Sequence, residues 1–89
     1  MGWAIEFDEA AKKELARLDR QVASRLLDFL KQRVINLKDP RSVGQALKGS
    51  KLGEFWKYRV GDFRIIASIQ DQKMIILILR VGNRREIYR

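Results

Sequence analysis

A chain of 89 residues that is 46% hydrophobic and 34% charged, with a single proline, has the composition of one folded domain with one core, and residues 1–89 read as that single domain. It contains neither cysteine nor histidine, which excludes a disulfide framework, a thiolate nucleophile and the common zinc ligand sets, and makes metal catalysis a poor expectation. The net charge of +8 is lopsided: residues 1–39 hold eight Lys/Arg against seven Asp/Glu, whereas residues 40–89 hold eleven against four, a one-sided basic field suited to a polyanion such as nucleic acid.

In chain order, "WAIEF" alternates Trp3, Ile5 and Phe7 against Ala4 and Glu6, the period-two pattern of a half-buried strand. Asp8 then caps a helix through "EAAKKELARL", with Ala11, Leu15 and Leu18 on one stripe, and Asp19 caps a second through "RQVASRLLDFLKQRVINL". In that second helix Val22, Leu26, Phe29, Leu30, Val34 and Leu37 recur at three- and four-residue steps. Asp39, placed before Pro40, stops the helix. The charges of both helices read as solvated faces.

"RSVGQALKGSKLG" reads as a polar, glycine-rich loop carrying Lys48 and Lys51. Three strands follow, "EFWKYRV", "FRIIASIQ" and "MIILILRV", joined by "GD" and "DQK". The expected fold is therefore α+β, in the order β-α-α-β-β-β, with a two-helix hairpin packed on one face of a small, largely antiparallel sheet. The segment before the first helix has no basic and then apolar leader, and "MIILIL" is too short to span a bilayer, so a cytoplasmic location is expected, without a membrane partner.

The "GD" hairpin fixes a register in which Val60 faces Phe63, Arg59 faces Arg64, Tyr58 faces Ile65 and Lys57 faces Ile66. One face then carries Trp56, Tyr58, Val60, Phe63, Ile65, Ala67 and Ile69, an apolar surface for the helices; Trp3 and Trp56 are expected in the core, and Tyr58 there too with its hydroxyl at the rim. The other face carries Phe55, Lys57, Arg59, Arg64, Ile66 and Ser68. Two opposed arginines beside a lysine repel one another unless an anion joins them, and no acid on that face offers to do so. The chain leaves the last strand at Gly82 into "NRREIYR", which can bring Arg84, Arg85 and Tyr88 over the same region. Guanidinium groups grip phosphate oxygens in bidentate fashion and an aromatic ring can stack a base. Arg80 either extends this basin or lies along the sheet's edge with its charge in water.

This order of elements, with "FDEAAKKELARL", "LKGS", "YRVGDFRIIASI" and "RVGNRREIYR" as its signposts, resembles the RelE/ParE superfamily of toxins from toxin–antitoxin pairs. The resemblance implies a ribosome-dependent messenger-RNA endonuclease that needs no cofactor and no metal. It also implies a cognate antitoxin as partner, in a hetero-oligomer that binds operator DNA through the antitoxin. Carried over by motif, the catalytic set is Lys57, Arg59, Arg64, Arg84 and Tyr88, and RNA contacts fall to Lys48, Lys51, Arg80, Arg85 and Arg89. Such cleavage requires deprotonation of the ribose 2′-hydroxyl, stabilisation of the phosphorane and protonation of the leaving 5′-oxygen. Arg64 and Arg84 suit the second task; Tyr88 or Lys57 suits the first, and Arg59 or Arg84 lies nearest the third. Two departures from the family pattern stand out: Asn83 replaces a histidine frequent after the "VG" element, and the interval from Gly82 to Tyr88 is short. A ParE-like toxin that poisons DNA gyrase by binding, and a plain RNA-binding module, are the alternatives left open.

Overall fold

The computed structural model describes residues 2–47 and 55–83. Five strands form one sheet in the spatial order β1-β5-β4-β3-β2, where β1 is Ala4–Phe7, β2 Gln45–Ala46, β3 Phe55–Val60, β4 Phe63–Gln70 and β5 Ile75–Asn83. The first strand pairs parallel to β5, from Ala4↔Ile75 to Phe7↔Ile78, and every other pair is antiparallel. A parallel neighbour needs a crossover connection, and the two helices, α1 (Glu9–Arg17) and α2 (Arg20–Asp28), lie in it.

Both helix starts follow from their caps. Asp8 accepts from the Ala10 amide and Asp19 from the Gln21 amide, at 3.2 and 3.1 Å, each satisfying one of the amides that a first turn leaves without a partner. Buried Ala11 has no bulk beyond Cβ, so α1 can approach β5 closely, and Leu15 and Leu18 pack at the margin of the core.

The second helix does not run unbroken to Leu37. From Phe29 to Val34 it widens into a π-helical turn, in which the Ile35 amide reaches back five residues to the Leu30 carbonyl at 3.0 Å. Its inward residues Val22, Leu26, Leu30 and Val34 step by four, and each such step overshoots a 3.6-residue turn by about 40°. A wider turn absorbs that drift, and Leu26, Leu30 and Val34 all stay within 1% exposure. Asp39 is extended (φ −123°, ψ 110°) ahead of Pro40, as its position dictates.

The stretch read as a loop after Pro40 is partly regular. Pro40–Val43 forms a short 3-10 helix capped by Asp39, and Gln45–Ala46 adds a two-residue edge strand to β3. The β3–β4 hairpin has the expected register throughout, from Phe55↔Ser68 to Val60↔Phe63. Gly61 takes φ +60° at the first turn position, a conformation that costs glycine little.

Tyr58, Ile65, Ala67, Ile76, Ile78 and Val81 meet Leu26, Leu30, Val34 and Ala11 in the core, with Trp3, Ile5 and Phe7 at its margin. The Tyr58 hydroxyl is buried rather than at the rim: it donates to the Pro40 carbonyl at 2.7 Å, and burial pushes its pKa up to about 12. Trp56 is half-buried and lies outside the buried cluster, with the Arg41 guanidinium 5.7 Å from its ring centre. On β5 the ladder shifts between Ile66↔Arg80 and Ala67↔Ile78, leaving Leu79 as the extra residue of a bulge. The bulge restores inward alternation, so Val81 is buried although it lies an odd number of positions, three, beyond Ile78.

Candidate nucleic-acid interface

The helix-free face of the β3–β4 hairpin carries Lys57, Arg59 and Arg64, brought together by the ladder pairs Lys57↔Ile66 and Arg59↔Arg64. Their environments differ. Arg59 is exposed, Lys57 is half-buried, and Arg64 is only 5% exposed. The expectation of an open-face Arg64 awaiting an anion is therefore corrected: its Nη1 donates to the carbonyls of Gly61 and Phe63 at 3.0 and 2.9 Å. Opposite it on β5 lies Gly82, which has no side chain to compete for the space. The hairpin turn thus supplies the oxygen partners that no carboxylate among the described residues does, and the pair Arg59/Arg64 coexists because one guanidinium is turned down onto the backbone.

Two main-chain bonds to Nη1 hold the plane of the Arg64 guanidinium while its Nε and Nη2 hydrogens carry no bond among the described residues. Those are the donors with which an arginine forks onto a phosphate. β5 delivers Gly82 and Asn83 beside Arg64 and Phe63, so the strand ends alongside the hairpin turn. Six of the residues singled out from the sequence, Lys48, Lys51, Arg84, Arg85, Tyr88 and Arg89, lie outside the described residues.

Arg80 belongs to a different contact. Its Nε and Nη2 donate to Glu14 Oε2 at 2.9 and 2.8 Å, while Glu14 Oε1 accepts the Val81 amide at 2.8 Å. Strand β1 stops pairing at Ile78, so Val81 would otherwise present an unpaired amide at the sheet's edge; Glu14 of α1 closes that gap. Burial pushes the Glu14 carboxyl upward, but the hydrogen bonds from Arg80 and Val81 and the charges of Arg80 and Arg17 outweigh it and leave the group below its ordinary value. The same pair raises Arg80.

Two concavities flank β3. A groove of about 700 Å³ at the β4–β5 turn is lined by Arg41, Trp56 and Ser68 to Lys73. Its arginine is already occupied: Arg41 holds both oxygens of Asp71, with Nη1–Oδ1 at 3.0 Å, and also Asp39 at 3.4 Å. The Asp71 bond raises Arg41 against the opposing effect of burial, and it lowers Asp71. A smaller concavity of about 170 Å³ lies at the outer edge of β3 and is lined by Phe29, Arg33, Val43, Gln45, Lys57 and Arg59. Arg33 and Gln45 were not legible as site residues. For Arg33 the signal was positional: it follows Phe29 by four residues, about one turn along the π-helical segment that continues α2, and Phe29 meets the Tyr58 ring edge-on at 5.9 Å. Among the described residues no group of acidic side chains is gathered in a way that could hold a metal ion, and no helix is long and apolar enough to cross a membrane.

The model of a protein family described as the ParE toxin of the type II toxin–antitoxin system, parDE, matches residues 5–88. Over all of its length the chain is 28% identical to Toxin RelG of Mycobacterium tuberculosis, covering 99% of that protein. Over 99% of its length it is 29% identical to the mRNA interferase toxin RelE of Escherichia coli, covering 92% of that one. Among solved structures, the free state of an arginine-to-alanine double mutant of E. coli toxin RelE superposes with a TM-score of 0.77 at 26% identity, over 99% of this chain and 92% of that one.

Proposed function

The chain belongs to the ParE toxin family of type II toxin–antitoxin systems, and from that premise we propose that it is an endoribonuclease toxin cutting messenger RNA on the ribosome, held in check by a cognate antitoxin. The observation that carries this reading is the Arg59↔Arg64 pair beside Lys57 on the helix-free face of the hairpin, where none of the paired residues from Phe55 to Ser68 on that face is a carboxylate. The full-length likeness to proteins named mRNA interferase toxin RelE and Toxin RelG supports the RNA target.

In this reading the RNA lies across the hairpin face and the attacking group is its own 2′-hydroxyl. Arg64, on the floor of the site and held by the Gly61 and Phe63 carbonyls, offers Nε–H and Nη2–H to the phosphorane as negative charge builds on it. Donors already oriented before the reaction cost little reorganisation at the barrier. Arg59, exposed on the neighbouring strand, neutralises the same phosphate from above. Lys57 or Tyr88 takes the 2′-hydroxyl proton as the 2′-oxygen bonds to phosphorus; the bond from phosphorus to the 5′-oxygen then breaks, and the leaving oxygen, beside Arg59 or Arg84, takes a proton from solvent water. The chemistry is metal-independent, with cationic side chains taking the role of a Lewis acid. Ribosomal binding supplies the alignment of 2′-oxygen, phosphorus and 5′-oxygen that a cationic surface alone does not impose.

The test is a primer-extension map of cellular messages shortly after induction of the toxin. Cuts confined to translated regions, and lost in the Arg64→Ala/Arg84→Ala double variant, are the expected result. Intact messages with double-strand DNA breaks would instead establish gyrase poisoning, the second reading that the ParE description of the family model favours. Co-expression of the neighbouring antitoxin reading frame should restore growth in either case.

A further inference from the structure

The cationic surface does not stop at the sheet's edge. Strand β2 covers only Trp56 and Lys57 of β3, through Ala46↔Trp56 and Gln45↔Lys57. Beyond that point no strand lies outside β3 among the described residues, and the small concavity opens there. Its lining draws on both layers of the fold. Arg33 comes from the π-helical turn of α2, Lys57 and Arg59 from β3, and Gln45 from β2, above a floor of Phe29 and Val43. Among the described residues that line it, three are cationic and one carries an amide, and none is a carboxylate. Its volume of about 170 Å³ is below the roughly 300–1,000 Å³ of small-molecule pockets, a size suited to one charged group of a longer chain.

We propose that Arg33, with Lys57, Arg59 and the Gln45 amide, forms a subsite for a backbone phosphate of single-stranded RNA that passes round the open edge of β3 toward the helical layer. The subsite rests on the nuclease reading and extends it to a residue outside the hairpin. Arg59 stands at the junction, shared between the catalytic face and the edge. Arg33 acts in binding alone: it neutralises a phosphate away from the scissile bond, so its loss weakens association and spares the chemical step. The π-helical turn matters here because it keeps Leu30 and Val34 buried together, and so fixes Arg33 between them at the rim.

The experiment measures binding of a single-stranded RNA whose riboses are 2′-O-methylated, and therefore uncleavable, to the purified toxin over a range of salt concentrations. Each phosphate neutralised on a single strand contributes about 0.7 to the slope of log K against log salt. Arg33→Ala should lower that slope by about 0.7 and raise KM for ribosome-bound message with kcat unchanged, whereas Arg33→Lys should keep the slope. Lys13→Ala, an equal loss of charge at an exposed position of α1, should change neither. An unaltered slope in Arg33→Ala while Arg59→Ala lowers it overturns the subsite and leaves the nuclease reading standing. An equal loss in Lys13→Ala also overturns it, by reducing the effect to net charge. Absence of salt-dependent binding and of cleavage by the unsubstituted chain removes both readings together.

Discussion

Arg41 and Arg64 stand near opposite ends of the β3–β4 ladder, and the fold answers them with different chemistry. At the β4–β5 turn Arg41 is paired with the carboxylates of Asp71 and Asp39 and lies against the Trp56 ring. At the hairpin turn Arg64 has only main-chain carbonyls, and Arg59 across from it has no carboxylate within ion-pair distance among the described residues. The first arrangement spends its charge inside the molecule, stapling the segment after α2 to a turn that lies 30 residues further along the chain. In the second, Arg59 keeps its charge at the surface while Arg64, nearly buried beside it, keeps a fixed geometry, and together they meet the conditions of a phosphate-binding site. A count of arginines does not separate the two; the identity of their acceptors does.

The sharpest way to break this comparison is Arg64→Ala. Under the nuclease reading it should reduce cleavage of ribosome-bound message by about 100-fold, the cost typical of losing one oriented donor to a transition-state oxyanion. Arg64→Lys should recover little, because an ammonium cannot reproduce the planar fork. Single-turnover cleavage on programmed ribosomes reads both variants, and near-normal activity in Arg64→Ala would show that the hairpin end is as structural as its opposite.

Arg41→Ala should do the reverse. Loss of the two ion pairs and the Trp56 contact lowers stability by about 1 kcal/mol, which for a domain of this size means a fall in Tm of about 5 °C, while kcat is retained. Thermal unfolding followed by circular dichroism, run beside the cleavage assay, measures the separation.

The smallest effect is expected from Glu14→Gln. Because the Glu14 carboxyl is held below its ordinary value, its contribution is present above the usual carboxylate range and is lost as pH falls through the depressed value. The substitution should cost about 0.5 kcal/mol near neutrality and nothing once the native carboxyl is protonated. Urea midpoints at pH 7 and pH 3 should therefore differ between the two proteins at the higher pH and converge at the lower. An equal difference at both would assign Glu14 a packing role without an electrostatic one.

Much of this was legible in the residues themselves. The alternation in "WAIEF" and in the hairpin, the caps Asp8 and Asp19, and the turn at Gly61 and Asp62 rest on interactions within a few positions of one another, and the structure reproduces them. The same locality explains the pairing of Arg59 with Arg64, since a two-residue turn fixes everything that follows. Contacts between distant segments were not legible: Glu14 on the Val81 amide, Arg41 on Asp71, Tyr58 on the Pro40 carbonyl, and Arg33 beside Lys57. The bulge at Leu79 and the π-helical turn escaped for a related reason, as each is a local defect imposed by packing against another layer.

By itself the sequence determined which residues alternate, which cap, which turn, and therefore which cations share a strand face, because short-range sterics and periodicity decide those things before the chain closes. Only the tertiary structure decided which of those cations keep their charge for a ligand. That depends on whether a carboxylate or carbonyl from elsewhere in the fold comes within hydrogen-bond distance, and proximity of that kind is created by the packing of the layers.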